Sequence, residues 1–196
     1  MSEIKLNLYS EPLYNRKEIY RYLGAPKPDG ETVKLVEECL KECNGVCRLS
    51  VLHTVSDIKV NGDKIDFDTF SVISSDLSKN LSGCDRAVIF AATVGIGIDR
   101  LISKYAVISP AKAIVFQAVG AERIESLCDM FNEEMRVKYV GLKPRFSPGY
   151  GDLPLEAQKD IFSLLGCEKK TGLTLNNNLL MSPSKSVTAI IGINRK

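Results

Sequence analysis

The sequence has almost no excess charge, no long apolar run and a single histidine. Twenty-six Lys and Arg oppose 24 Asp and Glu, leaving a net charge of +2 over 196 residues. A field that small does not draw a protein onto nucleic acid or an anionic bilayer surface. The longest uncharged apolar stretch, AVIFAATVGIGI from Ala87, is too short to span a membrane. The opening residues, MSEIKLNLYSEPLYNRKEIY, lack the apolar centre of a signal peptide. Together these absences predict a cytoplasmic protein with neither a nucleic-acid nor a membrane partner. The lone histidine, His53, lies beside Thr54 in a predicted strand and reads as a partly exposed strand residue.

What is present is ordinary globular composition, 44% hydrophobic and 26% charged, which suits one domain over residues 1–196. The six cysteines (Cys39, Cys43, Cys47, Cys84, Cys128 and Cys167) are expected as reduced thiols in such a compartment. Cys39, Cys43 and Cys47 follow a C-x3-C-x3-C spacing. With no second ligand pair or nearby histidine, that spacing does not complete a zinc site, so the three read as small buried hydrophobes and no metal site is expected.

Alternating elements run along the chain without repeats or low-complexity tracts. Asn15 can cap a short helix, KEIYRYL, that ends at Gly24. ETVKLVEECLKEC has helical periodicity, with Val33, Val36, Cys39 or Leu40, and Cys43 on one face, and Asn44-Gly45 as its stop. CRLSVLHTVSDIKV is rich in β-branched residues, and Asn61-Gly62 is a hairpin signal. A brief helix at 75–81 precedes a buried strand, RAVIFAATV, and Gly95-Ile96-Gly97. A dinucleotide fingerprint would need glycine at position 100, which is Arg100, so the glycines read as a tight turn between closely packed elements.

Ser109-Pro110 opens a long helix whose Ile114, Ala118, Ala121, Ile124, Leu127, Cys128 and Phe131 form a core stripe. Glu122 interrupts its small-residue section, where a carboxylate either faces a site or is a solvated surface group. After RFSPGYGD, Pro154 starts a further helix, LEAQKDIFSLLG, and turns at 176–178 and at Ser182-Pro183 lead to a strand over 187–193. Hairpin signals without a regular βαβ rhythm predict an α+β fold: a mixed, largely antiparallel twisted sheet packed with helices.

RFSPGYGDLP, then QKDIFSLL, GLTL and MSPSKSV in order, resemble the activation domain of cobalamin-dependent methionine synthase. Similar features upstream are Tyr22-Leu23-Gly24, AATVG from Ala91, and Ala121-Glu122. The resemblance implies a module that binds S-adenosylmethionine and presents it to a cobalamin carried by a separate methionine synthase core. One electron from a flavodoxin-like donor and one methyl group would then reactivate oxidised cobalamin. Such a module needs no catalytic base of its own, because the sulfonium carries the activation; its work is to bind and aim.

The resemblance further implies a binding set of Arg145, Phe146, Gly149 and Tyr150, with Glu122 near the ligand's ammonium group. A guanidinium offers a planar fork to an α-carboxylate, and Gly149 lets backbone approach the adenosine. The alternative for Arg145 is a structural arginine stacked on Phe146 or Tyr150. Asp152 either orients the loop or is an ordinary loop acid, and Lys159 solvates its helix. Two departures from the family stand out: no aromatic follows Phe162, and the chain has no corrinoid-binding Asp-x-His-x-x-Gly motif. Activity would therefore be exerted in trans. The competing function is a docking or assembly subunit of a corrinoid protein that does not bind the methyl donor.

Overall fold

A computed structural model describes residues 3–195. In chain order the elements are β1 (Lys5–Tyr9), α1 (Arg16–Tyr22), α2 (Gly30–Cys43), β2 (Leu49–Asn61), β3 (Lys64–Phe67), β4 (Ser71–Ile73), α3 (Ser75–Asn80) and β5 (Cys84–Thr93). They continue with α4 (Gly97–Ile108), α5 (Pro110–Lys138), α6 (Ala157–Leu165), α7 (Cys167–Thr171), β6 (Thr174–Leu175), β7 (Met181–Ser182) and β8 (Ser186–Asn194). The architecture is α+β with an antiparallel sheet, as the hairpin signals require.

The main sheet runs β4-β3-β2-β5-β8, and β1 pairs with the first half of β2. Asn61 ends β2 and Gly62 turns the chain into β3, so Asn61 faces Lys64 across the hairpin. Burial along β2 explains its sequence. From Leu49 to Thr54 every residue is buried, because helices cover both faces; towards the hairpin, burial alternates and the sequence becomes DIKVN. β5 is buried over its last seven residues and reads as an uninterrupted apolar run for the same reason.

Each face carries its own core. Val51, Phe90 and Ile191 meet α1, α2, α4 and α5 on one side. Leu52, Ile89 and Ile190 meet α3, α6 and α7 on the other. The longest element, α5, has 29 residues and spans about 44 Å at 1.5 Å per residue. Its breadth of contact explains its lack of a simple apolar stripe: Glu122 and Arg123 are buried within it, whereas Ile114, placed in the stripe by periodicity, is 61% exposed. Val33 of α2 is likewise more exposed than its spacing suggests, since it sits in the first turn, before α2 reaches the core.

Local signals account for most boundaries. Asn15 accepts from the Glu18 amide at the start of α1, and Asp29 accepts from the Thr32 amide at the start of α2. The helix expected from Pro154 begins three residues later, at Ala157, after turn hydrogen bonds over 154–159. Gly97 is required by packing: a Cβ there would lie 2.3 Å from the Val46 carbonyl oxygen. The Gly-x-Gly pair is thus a close-approach turn, as expected from its spacing.

Candidate functional site

The segment following α5 extends the sheet beyond β8. Phe146 and Ile190 exchange two backbone hydrogen bonds of 2.8 Å, Lys143 donates to the Gly192 carbonyl at 2.9 Å, and Leu142 bridges Ile193. Alternation along this irregular edge separates neighbouring side chains. Phe146 packs with the core over α6, and Arg145 turns to the opposite face, against α5. There its Nη2 donates to Glu125, while Nη1 is buried and has no hydrogen-bond partner. The side chain is 24% exposed.

Arg145 is embedded among acidic and thiol groups of α5. Burial raises the Asp129 carboxyl above its ordinary value, with Arg145 pulling the other way. Burial also pushes the Cys128 thiol up to about 12, and the Arg145 charge opposes that rise. One guanidinium nitrogen of this fixed cation is committed to Glu125, and the other is buried near the Cys128 thiol with hydrogen-bonding capacity unspent.

The loop after Phe146 is pinned by short-range bonds. Tyr150 donates its amide to the Ser147 carbonyl at 3.0 Å, Leu153 donates to the Tyr150 carbonyl at 3.0 Å, and Gly149 donates to the Leu153 carbonyl at 2.9 Å. Gly149 adopts φ +88°, a conformation that a residue with a Cβ resists. Tyr150 is 60% exposed, with its ring edge-on to Phe146 at a centroid distance of 6.3 Å. Asp152 anchors the loop to α3 by accepting from the Ser74 hydroxyl and from the amides of Ser75 at 2.8 Å and Asp76 at 3.1 Å. Those bonds hold its carboxyl below the ordinary range. Lys159 is exposed on the outer face of α6.

Glu122 occupies a different environment. It is 1% exposed and accepts from Arg123 at 2.6 and 2.7 Å, from the Ser126 hydroxyl at 2.8 Å and from the Asn15 amide at 3.1 Å. Arg123, fully buried, also donates to the carbonyls of Pro12 at 2.6 Å and Leu13 at 3.1 Å, with the Tyr14 ring 4.1 Å from its guanidinium. The pair therefore fastens residues 12–15 to α5. No hydrogen bond or ion pair joins Glu122 to Arg145; Glu125 stands between the two groups. Glu122, Glu125, Ser126 and Asp129 line a cavity of about 330 Å³ whose other wall includes Asn15 and Tyr22 of the α1 region. Glu125 both borders that cavity and holds Arg145.

Residues 129–196 match the activation domain of vitamin B12-dependent methionine synthase. The matched stretch contains Arg145, Phe146, Gly149 and Tyr150 and all the C-terminal motifs that carry the resemblance; Glu122 and Glu125 lie upstream of it. A crystal structure of the MetH reactivation domain bound to AdoHcy has the same fold, with a TM-score of 0.74, over 98% of this chain and 78% of that chain, at 16% sequence identity. Comparison with curated proteins returns no match.

Two residues missed by sequence reasoning shape this region, Glu125 through Arg145 and Arg123 through Glu122. Glu125 is indistinguishable from other helix glutamates until the edge segment brings Arg145 onto it. Arg123 follows Glu122 directly, and adjacent helix residues do not ordinarily face one another, so spacing alone gives no sign of their pairing. His53 also differs from expectation. It is 5% exposed, 5.1 Å from the Phe131 ring, and burial lowers its pKa. It belongs to the sheet interior under α5. The cysteines are buried free thiols, and no group of three or more His, Cys, Asp or Glu among the described residues could hold a metal.

Proposed function

We propose that this protein binds S-adenosylmethionine through Arg145 and its loop and serves reductive methylation of the cobalamin of a separate methionine synthase core. The observation that carries this reading is the guanidinium of Arg145, which lies in the family-matched stretch with a buried nitrogen lacking an acceptor. The AdoHcy bound to the similarly folded MetH reactivation domain is the thioether that remains when S-adenosylmethionine gives up its methyl group, which supports the same ligand class here.

The residues divide the work. Arg145 receives the ligand's α-carboxylate as a charge-assisted pair, and Glu125 offers the ammonium group a carboxylate within the same cluster. Glu122 acts from beneath, holding the α1 region against the cavity. Gly149 keeps the loop backbone open to the adenosine, and the exposed Tyr150 ring can cover it. When bound, the sulfonium would supply the chemistry, a methyl group already activated for transfer to the partner's cobalamin with an external electron donor, leaving a neutral thioether; Arg145, Glu125 and the loop would hold and aim it. No side chain need transfer a proton, so the task is orientation. The whole chain is assigned to this one module, acting in trans in the cytoplasm; no helix among the described residues is long and apolar enough to cross a membrane.

A second reading, a docking subunit that does not bind the methyl donor, is favoured by the engagement of Arg145 with Glu125. Methyl-labelled S-adenosylmethionine, a chemical reductant and a methionine synthase core lacking its own activation domain separate the two. Label reaching the cobalamin only when wild-type protein is present, and not with Arg145→Ala, supports the first reading. Complex formation without label transfer supports the second.

A further inference from the structure

The two faces of β1 are treated very differently by the fold. On one face, Asn7 donates to Glu134 at 2.9 and 3.0 Å and Tyr9 also donates to Glu134, so the polar groups are satisfied against α5. On the other face, Leu6 and Leu8 are 46% and 77% exposed although they sit opposite Leu52 and Ser50 of β2. Leu52 belongs to the core over α6, so the apolar surface of that core continues outward onto β1 without cover. In addition, β1 pairs only with β2, leaving its second edge without a strand neighbour among the described residues.

Leu6, Leu8 and the 42% exposed Ile96 line a groove of about 710 Å³, walled on its far side by α7 and the β6-β7 pair. Arg48 and Lys170 also line it, and no carboxylate does. Neither cation has a side-chain hydrogen bond or ion pair among the described residues, in a protein where many surface lysines and arginines are paired. An apolar groove flanked by unneutralised positive charge complements an apolar segment that carries carboxylates. A second copy of this chain would bring the same two cations with it, so the charge pattern disfavours self-pairing.

We propose that this groove is a docking site for an extended segment of a partner protein in which apolar and acidic side chains alternate. The apolar residues rest on Leu6, Leu8 and Ile96 across the sheet face, and the carboxylates meet Arg48 and Lys170. The surface is built from elements other than the Arg145 edge and stands independently of methyl-donor binding.

The test is a titration followed by amide NMR, using the capped heptapeptide Glu-Leu-Glu-Val-Glu-Leu-Glu as probe and its Lys-for-Glu counterpart as control. The acidic peptide is expected to shift amides of β1, residues 47–50 and residues 170–174, while the lysine peptide does not. The double variant Arg48→Glu/Lys170→Glu, both exposed and therefore compatible with folding, should bind the acidic peptide at least about tenfold more weakly and accept the lysine peptide instead. Leu8→Ser should weaken binding while keeping the charge preference. S-adenosylmethionine calorimetry should be unchanged in both variants. The proposal is overturned if the acidic peptide leaves β1 unperturbed, if charge reversal has no effect, or if sedimentation shows that wild-type β1 is already occupied by a second copy.

Discussion

Removing Arg123 tests the tie between α5 and the N-terminal segment. In Arg123→Met the apolar volume is largely kept, but the Glu122 carboxylate, 1% exposed, loses its counter-charge and two hydrogen bonds. It retains only the Ser126 hydroxyl and the Asn15 amide. Breaking one side of a buried pair costs about 3–5 kcal/mol, a large part of the ~5–15 kcal/mol that holds a typical domain together. With a urea slope of about 2 kcal/mol/M, a loss of about 4 kcal/mol lowers the unfolding midpoint by about 2 M. Glu122→Gln added to Arg123→Met removes the stranded charge and should restore more than half of the loss. Hydrogen exchange would locate the effect: amides near Asn15 should exchange faster in the single variant. A cost below about 1 kcal/mol for Arg123→Met, or a double variant no more stable than the single one, would refute the reasoning.

Three other outcomes follow from the same geometry. Because the folded Asp152 carboxyl titrates below its ordinary value, its contribution is present above about pH 4 and lost as pH falls through the lower folded value; the stability gap between wild type and Asp152→Ala should be flat at neutral pH and close in acid, and a gap that widens in acid contradicts the capping role. Gly149→Ala must place a Cβ at φ +88° and should cost about 1–2 kcal/mol by urea denaturation, with an unchanged or raised midpoint counting against the assigned loop conformation. All six cysteines are buried, with Cys43, Cys47, Cys128 and Cys167 pushed up to about 12 by burial, so a thiol-reactive disulfide should label the native protein negligibly and all six after unfolding. Rapid labelling of any one would contradict its placement.

The elements legible in the sequence are those with strong local chemistry. Asn15, Asn61-Gly62 and Ser109-Pro110 each declare a boundary through caps, turns or a first-turn proline, and each boundary lies where expected. β1 is not legible, because KLNLY is short and its alternation points to a buried leucine face, whereas Leu6 and Leu8 stay exposed and Asn7 and Tyr9 face α5. The two-residue strands β6 and β7 are held by their mutual pairing, to which no single residue commits the chain. At the candidate site the motif residues Arg145, Gly149 and Tyr150 are readable as a loop with a cation, whereas Glu125 is not. The contact between Glu125 and Arg145 spans twenty positions and depends on an irregular edge strand docking beside β8. The burial of Glu122 is equally hidden, since its counter-ion is its immediate neighbour and, besides Ser126 one turn on, its remaining contact comes from a segment more than a hundred residues away.

The most direct measurement is calorimetric titration of S-adenosylmethionine into the purified protein beside Arg145→Ala. The account predicts saturable binding by wild type and a loss of about 1.5–3 kcal/mol in the variant, the scale of a hydrogen bond to a charged group. Binding of equal strength by both proteins would remove Arg145 as the carboxylate partner, and no binding by either, with a methionine synthase core also present, would contradict the methyl-donor role.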